Sequence, residues 1–325
     1  MSASDHEQTC EKKHRPKPPS ENRIEPLPWH KPKPPEEDPD APQRVHKLLS
    51  CASYRQADQD IDFLHRDDVR SLRLQLDFLK PELLLQEHGV ESTIVVYGST
   101  RIIEPKVAAR RVQAFTEALK ASPDNEELQK RLAIAKRIQE KSHYYDVARE
   151  FGQIVGQSGR GAADCRLLLM TGGGPGMMEA ANRGAYDVGA KTVGLNITLP
   201  HEQFPNPYIT PELCFKFHYF ATRKMHFLLR AKALVVFPGG YGTLDELFET
   251  LTLIQTRCMK ALPIVLVGEN YWRKAFDVEF LIAEGVIDPE DRELFWYAET
   301  AREIWDDILN WYLAKGELLI PDCGS

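Results

Sequence analysis

Residues 235–246 read VVFPGGYGTLDE, an apolar segment that runs directly into a glycine-rich turn and then into a stretch of helical character. We expect Gly239, Gly240 and Gly242 to adopt positive φ angles and to let the backbone approach a ligand closely. The start of the following helix would offer unpaired amide groups and the positive end of the helix dipole. The segment therefore predicts a binding site for phosphate or another small anion.

Thr243 and Glu246, in the same segment, have two interpretations. Their Thr-x-x-Glu spacing is that of a capping box, in which each side chain bonds a free amide at the helix start. The carboxylate of Glu246 would also lie at the mouth of the anion site, where it could act on a bound ligand. The two roles are compatible, and a capping box alone does not account for three glycines in the preceding turn.

A second glycine-rich turn follows another apolar segment at residues 167–179, which read LLLMTGGGPGMME. The two turns predict successive strand-to-helix corners of one parallel sheet. Neither contains the Gly-Lys-Ser/Thr of a P-loop, and the second turn lacks the Gly-x-Gly-x-x-Gly spacing of dinucleotide-binding proteins. A mononucleotide is therefore a better prediction than a nicotinamide dinucleotide.

Arg223 and Lys224 lie in the segment FATRKMH, which is predicted to begin a helix. Two cations at a helix start oppose the helix dipole, so the position favours a binding role. Surface charges on an amphipathic helix are the alternative, and both interpretations stay open.

Three motifs in this order, GGGPGMME at 172–179, RK at 223–224 and PGGYGTLDE at 238–246, resemble the Lonely-guy family. Its members are cytokinin-activating nucleoside 5′-monophosphate phosphoribohydrolases, often labelled lysine decarboxylase-like, and bacterial relatives hydrolyse AMP. The resemblance covers about residues 91–315 and implies hydrolysis of AMP or N6-isopentenyl-AMP to free base and ribose 5-phosphate. It assigns Arg223 and Glu246 to catalysis. To substrate binding it assigns Gly173, Gly174, Glu202, Lys224, Gly239, Gly240, Tyr241, Gly242, Thr243 and Thr252.

The chemistry of N-glycosidic cleavage suits these residue types, because the reaction passes through a ribosyl cation. Glu246 could hold ribose hydroxyls, stabilise the cation or activate water, and the sequence does not separate these roles. Arg223 could stabilise negative charge on the leaving base. The alternative is a protein of the same fold that binds a nucleotide or molybdenum cofactor without catalysis. A pyridoxal-phosphate decarboxylase is disfavoured because no lysine lies in a convincing Schiff-base context.

The composition limits the partners. A net charge of −7 over 325 residues argues against nucleic acid or an anionic membrane as the principal partner. The six cysteines show no paired metal-binding spacing, and no signal peptide or membrane-length apolar run is present. We therefore predict a cytoplasmic protein that needs neither metal nor cofactor and takes a small-molecule nucleotide.

The organisation predicted along the chain has three parts. Residues 1–45 contain ten prolines and predict a disordered tail, and residues 46–90 predict a helical extension. Residues 91–320 predict a doubly wound, Rossmann-like parallel sheet with helices on both faces, because five short apolar segments recur in βα alternation. The five segments are 94–97, 167–170, 192–195, 234–237 and 264–267.

Two further expectations concern the helices. Residues 105–158 predict a charged helical region whose charges form a solvated face, with Ser122 capping and Pro123 opening its second helix. The apolar arcs at 69–83 and 244–254 suggest a homodimer or higher homo-oligomer.

Overall fold

The computed structural model of the protein describes residues 25–27, 30–200 and 204–320. The chain divides into two compact units, Met1–Arg70 and Ser71–Ser325. In the first unit, α1 spans Ala41–Leu49 and α2 spans Ile61–Leu64. Helix α1 begins inside the range predicted as a disordered tail, and Pro42 is tolerated there because the first-turn amides need no intrahelical partner. Most of that predicted tail lies outside the described residues, and the predicted domain boundaries stay predictions.

The second unit contains nearly all of α3 (Arg70–Glu87) and a seven-stranded sheet. The strands are β1 (Ser92–Tyr97), β2 (Leu167–Thr171), β3 (Thr192–Ile197), β4 (Cys214–Phe217), β5 (Ala231–Val236), β6 (Ile264–Val267) and β7 (Trp296–Ala298). The remaining helices are α4 (Pro105–Ala121), α5 (Glu126–Lys141), α6 (His143–Gly156), α7 (Met177–Asp187), α8 (Phe220–Leu229), α9 (Tyr241–Gln255), α10 (Glu269–Ala275), α11 (Val278–Ala283) and α12 (Ala301–Ala314).

The sheet has the order β4-β3-β2-β1-β5-β6-β7, and every pair of neighbouring strands is parallel. Two buried apolar clusters cover its two faces. The predicted doubly wound fold is therefore confirmed. The chain runs outward from β1 to β4 and then returns to place β5 beside β1. At this switch point the connections after β1 and β5 diverge, which opens a crevice at the carboxyl ends of the two strands.

Two local features differ from the sequence-based expectation. Strands β4 and β7 were not predicted, because both lie at the sheet edges and are too short to form a continuous apolar run. The prediction that Ser122 caps a helix opened by Pro123 is wrong. Helix α5 begins at Glu126 and is capped by Asn125, whose side chain accepts a hydrogen bond from the Leu128 amide.

The connection from β1 to β2 contains three helices, although a parallel crossover needs only one. Helix α6 fills that role, since Tyr145, Phe151 and Val155 are among its side chains in the core. Helices α4 and α5 bury one residue each, Ala108 and Ala135. The α4–α5 pair is therefore an addition to the crossover that contributes little to the core.

Candidate functional site

A cavity of about 880 Å³ lies at the carboxyl ends of β1 and β5. Its walls include residues 97–102 after β1, Gly172 after β2 and residues 238–243 after β5. The switch point of a doubly wound sheet is where such folds bind ligands, because the loops on either side turn away from each other. Both glycine-rich turns of the sequence thus contribute residues to the wall of the same cavity.

The turn before α9 presents free backbone amides to this cavity. Helix α9 begins at Tyr241, and within the described residues the amides of Gly240, Tyr241 and Gly242 donate to no acceptor. A Cβ atom on Gly240 or Gly242 would meet nothing within 4 Å, so there is open space beside the Cα atoms of these two glycines. Unpaired amides at a helix start are a suitable site for a phosphate group.

The expected role of the glycines needs correction. Gly239, Gly240 and Gly242 do not adopt positive φ angles, whereas Gly173 and Gly176 of the other turn do, at +70° and +74°. Gly239 is needed for a different reason, since a Cβ there would lie 2.1 Å from the Thr243 hydroxyl. Gly239 is therefore required by close packing against Thr243, whereas Gly240 and Gly242 leave open space beside the backbone. None of the three is required by a left-handed backbone conformation.

Thr243 and Glu246 do not form the capping box that their spacing allowed. Helix α9 starts two residues before Thr243, so both residues lie inside the helix, and the N-cap residue is Gly240. Both side chains line the cavity. Glu246 is buried, with 5% of its surface exposed. The carboxylate is therefore free of a capping role and faces the cavity.

Glu246 lies between two cations supplied by α8. Its Oε1 is 3.6 Å from Nη2 of Arg223, and its Oε2 is 3.5 Å from Nζ of Lys224. Burial raises the pKa of Glu246, and the charges of Lys224 and Arg223 only partly oppose that rise. Its carboxylate accepts no hydrogen bond from any described side chain or amide. It can therefore still accept hydrogen bonds from a ligand or from water.

Arg223 is held by two aromatic rings. Its guanidinium carbon lies 5.1 Å from the ring centre of Phe220 and 5.4 Å from that of Phe227. Burial lowers its pKa, although the nearby Glu246 charge acts in the opposite direction. Its Nε atom is buried without a hydrogen-bond partner in the described part of the chain. A planar cation fixed by stacking, with a donor to spare, is suited to bind a polar ligand atom.

Lys224 occupies a different position from Arg223. Its ammonium lies 2.8 Å from Glu249 and 2.9 Å from Asp245, and it does not line the cavity. Burial acts to lower its pKa, but the hydrogen bonds to Glu249 and Asp245 and the charge of Glu246 raise it overall. Lys224 therefore acts on the cavity through the Glu246 carboxylate.

The other residues assigned to substrate binding are dispersed. Tyr241 lines the cavity and is almost fully exposed. Gly173 and Gly174 lie outside the cavity wall, and their carbonyls accept hydrogen bonds from Asn206. Thr252 is exposed on α9, away from the cavity, and donates to the Phe248 carbonyl. Glu202 lies outside the described residues.

Several cavity residues were missed by sequence reasoning. The Tyr97 hydroxyl is buried at the end of β1 and has no hydrogen-bond partner among the described residues. Burial, followed by the charge of Glu246, raises the pKa of Tyr97. The Tyr271 hydroxyl donates to the Gly239 carbonyl at 2.5 Å and so fixes the glycine turn. Arg101, Arg137 and Lys141 also line the cavity. Tyr97 is the last residue of a predicted strand, and nothing in the sequence distinguishes it from a core residue.

Three features of the described residues bear on other kinds of site. Cys51, Cys165, Cys214 and Cys258 are free thiols, and no group of three or more His, Cys, Asp or Glu side chains there could hold a metal ion. None of the helices in this part of the chain is long and apolar enough to cross a membrane.

A parallel sheet with a cavity at its switch point, free amides and a buried carboxylate defines a Rossmann-like α/β protein suited to a small anionic ligand. The family model described as "Possible lysine decarboxylase" matches residues 178–308. The chain is 29% identical over 169 residues to the cytokinin riboside 5′-monophosphate phosphoribohydrolase LOG of Oryza sativa subsp. japonica. That match covers 50% of this chain and 65% of the rice protein, which is less than two thirds of its length.

A second relative is LOG3 of Arabidopsis thaliana, which bears the same enzyme name. It is 28% identical over 170 residues, a match that covers 50% of this chain and 74% of the Arabidopsis protein. Together these matches confirm the resemblance of the chain to the Lonely-guy family, at modest identity.

Two solved structures are also similar. The structural-genomics target TM1055 has a TM-score of 0.40 and 20% identity, over 67% of this chain and 98% of that one. The molybdenum cofactor binding protein of Rippkaea orientalis has a TM-score of 0.34 and 19% identity, over 52% of this chain and 87% of that one. Both scores are low, and neither likeness bears on function.

Proposed function

We propose that the protein hydrolyses the N-glycosidic bond of a purine nucleoside 5′-monophosphate. The substrate is AMP, N6-isopentenyl-AMP or both, and the products are the free base and ribose 5-phosphate. The observation that carries the proposal is the placement, in one cavity, of the free amides at the start of α9 and the buried carboxylate of Glu246. The names of the rice and Arabidopsis relatives point to the same reaction class.

In this mechanism the amides of Gly240, Tyr241 and Gly242 bind the 5′-phosphate. Phosphate binding at a point remote from the reacting bond can be used to orient the ribose. Glu246 then lies one helical turn further along α9, where its carboxylate can hold ribose hydroxyls, stabilise the ribosyl cation or activate water. Its lack of hydrogen-bond partners among the described residues supports any of these roles.

Arg223 is proposed to act on the leaving base. As the glycosidic bond breaks, the bonding electrons pass to the base, and a nearby cation lowers the energy of that charge. The guanidinium is desolvated by Phe220 and Phe227, which strengthens its electrostatic effect. Lys224 favours the ionised form of Glu246, because its charge opposes the rise in the carboxylate pKa.

Product analysis tests this function directly. The protein is incubated with AMP, and adenine and ribose 5-phosphate are quantified by chromatography. Equal amounts of the two products support the proposal. Tight binding of AMP without any release of adenine would instead identify a non-catalytic nucleotide-binding protein.

Location and assembly also remain proposals. We propose a cytoplasmic location. We also propose a homodimer or higher homo-oligomer, and an exposed apolar stripe on α3 supports this assembly. Leu72, Leu76, Leu79 and Leu83 recur at helical spacing there and are 40%, 50%, 45% and 51% exposed. The arc on α9 supports this less, because Leu247 and Ile254 are buried in the core. Sedimentation at micromolar concentration tests the assembly, and a purely monomeric profile would contradict it.

Replacing Glu246 with Gln should lower turnover of AMP by about 10²–10⁴-fold, because the neutral amide neither stabilises a cation nor accepts a proton. The wild-type enzyme requires the ionised carboxylate, whose pKa burial raises above the ordinary value of 4.5. Its kcat/KM should therefore fall with decreasing pH through a midpoint above 4.5. The Gln variant should lack this acid limb. Near-normal turnover in a folded variant would remove Glu246 from the mechanism.

Arg223→Ala should reduce turnover by about 10²–10³-fold, whereas Lys224→Ala should cost about tenfold or less at neutral pH. The reason is that, of these two residues, only Arg223 lines the cavity. Lys224→Ala should also move the acid limb to higher pH, since the lost cation was lowering the pKa of Glu246. Rate measurements across pH check both variants. The reverse order of effects would exchange the two roles.

A further inference from the structure

One face of α5 forms a wall of the cavity. Its members are Ile134, Arg137, Ile138 and Lys141, at the i, i+3, i+4 and i+7 positions of a single helical stripe. The stripe alternates apolar and cationic side chains. Ile134 is 56% exposed, so this face is not buried against the rest of the protein.

The packing of the core does not require α5 to lie beside the cavity. Helix α6 already supplies the buried side chains of the β1-to-β2 crossover, and α5 buries only Ala135. A helix that contributes so little to the core and still forms a cavity wall is best explained by what the cavity holds.

The charges around the cavity are strongly unbalanced. Among the described residues, four cations line it, Arg101, Arg137, Lys141 and Arg223, against the single carboxylate of Glu246. Arg223 is paired with that carboxylate. In the part of the chain that the structure describes, no carboxylate oxygen lies within 4.0 Å of a side-chain nitrogen of the other three. Such an excess of cations is notable in a chain of net charge −7 and indicates an anionic occupant.

Arg101 belongs to the loop after β1. This loop is hydrogen-bonded to the glycine turn before α9. The Ser99 amide donates to the Pro238 carbonyl at 3.0 Å, and the Ser99 hydroxyl accepts from the Arg101 amide at 3.0 Å. The backbone at Arg101 is thereby tied to the turn that presents the free amides of α9.

We propose that Arg137 and Lys141 of α5, with Arg101, form a second phosphate-binding wall that contacts the 5′-phosphate bound at the glycine turn. This inference rests on the proposed function for the identity of the ligand. The ligand class is a phosphorylated sugar or nucleotide, and the phosphate is held both by neutral amides and by mobile cationic side chains. Ile134 and Ile138 cover the apolar part of the same ligand.

The test uses ribose 5-phosphate, which carries the phosphate but has no glycosidic bond to hydrolyse, and adenosine, which has no phosphate. Binding of each to the full-length protein is measured by calorimetry. The double variant Arg137→Ala with Lys141→Ala should raise the Kd for ribose 5-phosphate by roughly tenfold or more and leave the Kd for adenosine within about twofold. Lys136→Ala is the matched control, since Lys136 is an exposed cation on the same helix that does not line the cavity.

A charge-preserving variant, Arg137→Lys with Lys141→Arg, should recover most of the affinity for ribose 5-phosphate. The proposal is overturned if the wild-type protein does not bind ribose 5-phosphate, or if the double alanine variant binds it as the Lys136 control does. An equal loss of adenosine affinity would also overturn it, because Arg137 and Lys141 would then act on the nucleoside rather than on the phosphate. Neither ligand requires turnover, so a failure to release adenine from AMP would refute the proposed function while leaving this result standing.

Discussion

The Glu246 carboxylate lies in a buried position where ionisation is costly, and the surrounding structure limits that cost. Two cations from α8 approach it, but at 3.5 and 3.6 Å they are too distant for short hydrogen bonds. Burial therefore raises its pKa, and the two cations oppose that rise only in part. The carboxylate lacks hydrogen-bond partners among the described residues. A ligand that brings hydroxyl groups would supply the missing partners.

This arrangement depends on the topology of the sheet. Because β5 returns to lie beside β1, the loops after these strands open a cavity, and α9 starts at its edge. The same helix supplies free amides at its first residues and the carboxylate one turn later. Helix α8 precedes β5 and carries both cations on adjacent residues, of which Arg223 reaches the cavity and Lys224 contacts the carboxylates of α9. A single strand-helix unit thus positions the free amides and the carboxylate relative to each other.

The sequence was sufficient for the parts of this structure that have a local signature. Strands buried on both faces form short apolar runs, and a glycine turn between an apolar run and a helical stretch indicates a strand-to-helix corner. Edge strands β4 and β7 lack that signature. The helix start at Tyr241 could not be distinguished from one at Thr243, because the capping-box spacing of Thr243 and Glu246 favoured the later start. The position of Arg137 and Lys141 at the cavity could not be predicted from the sequence for another reason. Cations on a helix that buries a single residue have the pattern of a solvated face, and only the tertiary structure places them at the cavity.

In the proposed function the cavity recognises a 5′-phosphate, and that contact promotes cleavage at the distant glycosidic bond. The most direct measurement compares kcat and kcat/KM for AMP, N6-isopentenyl-AMP and adenosine under identical conditions. We expect adenosine to lose kcat as well as affinity, because phosphate binding contributes to orienting the ribose in the transition state. Equal kcat/KM values for AMP and adenosine would contradict it.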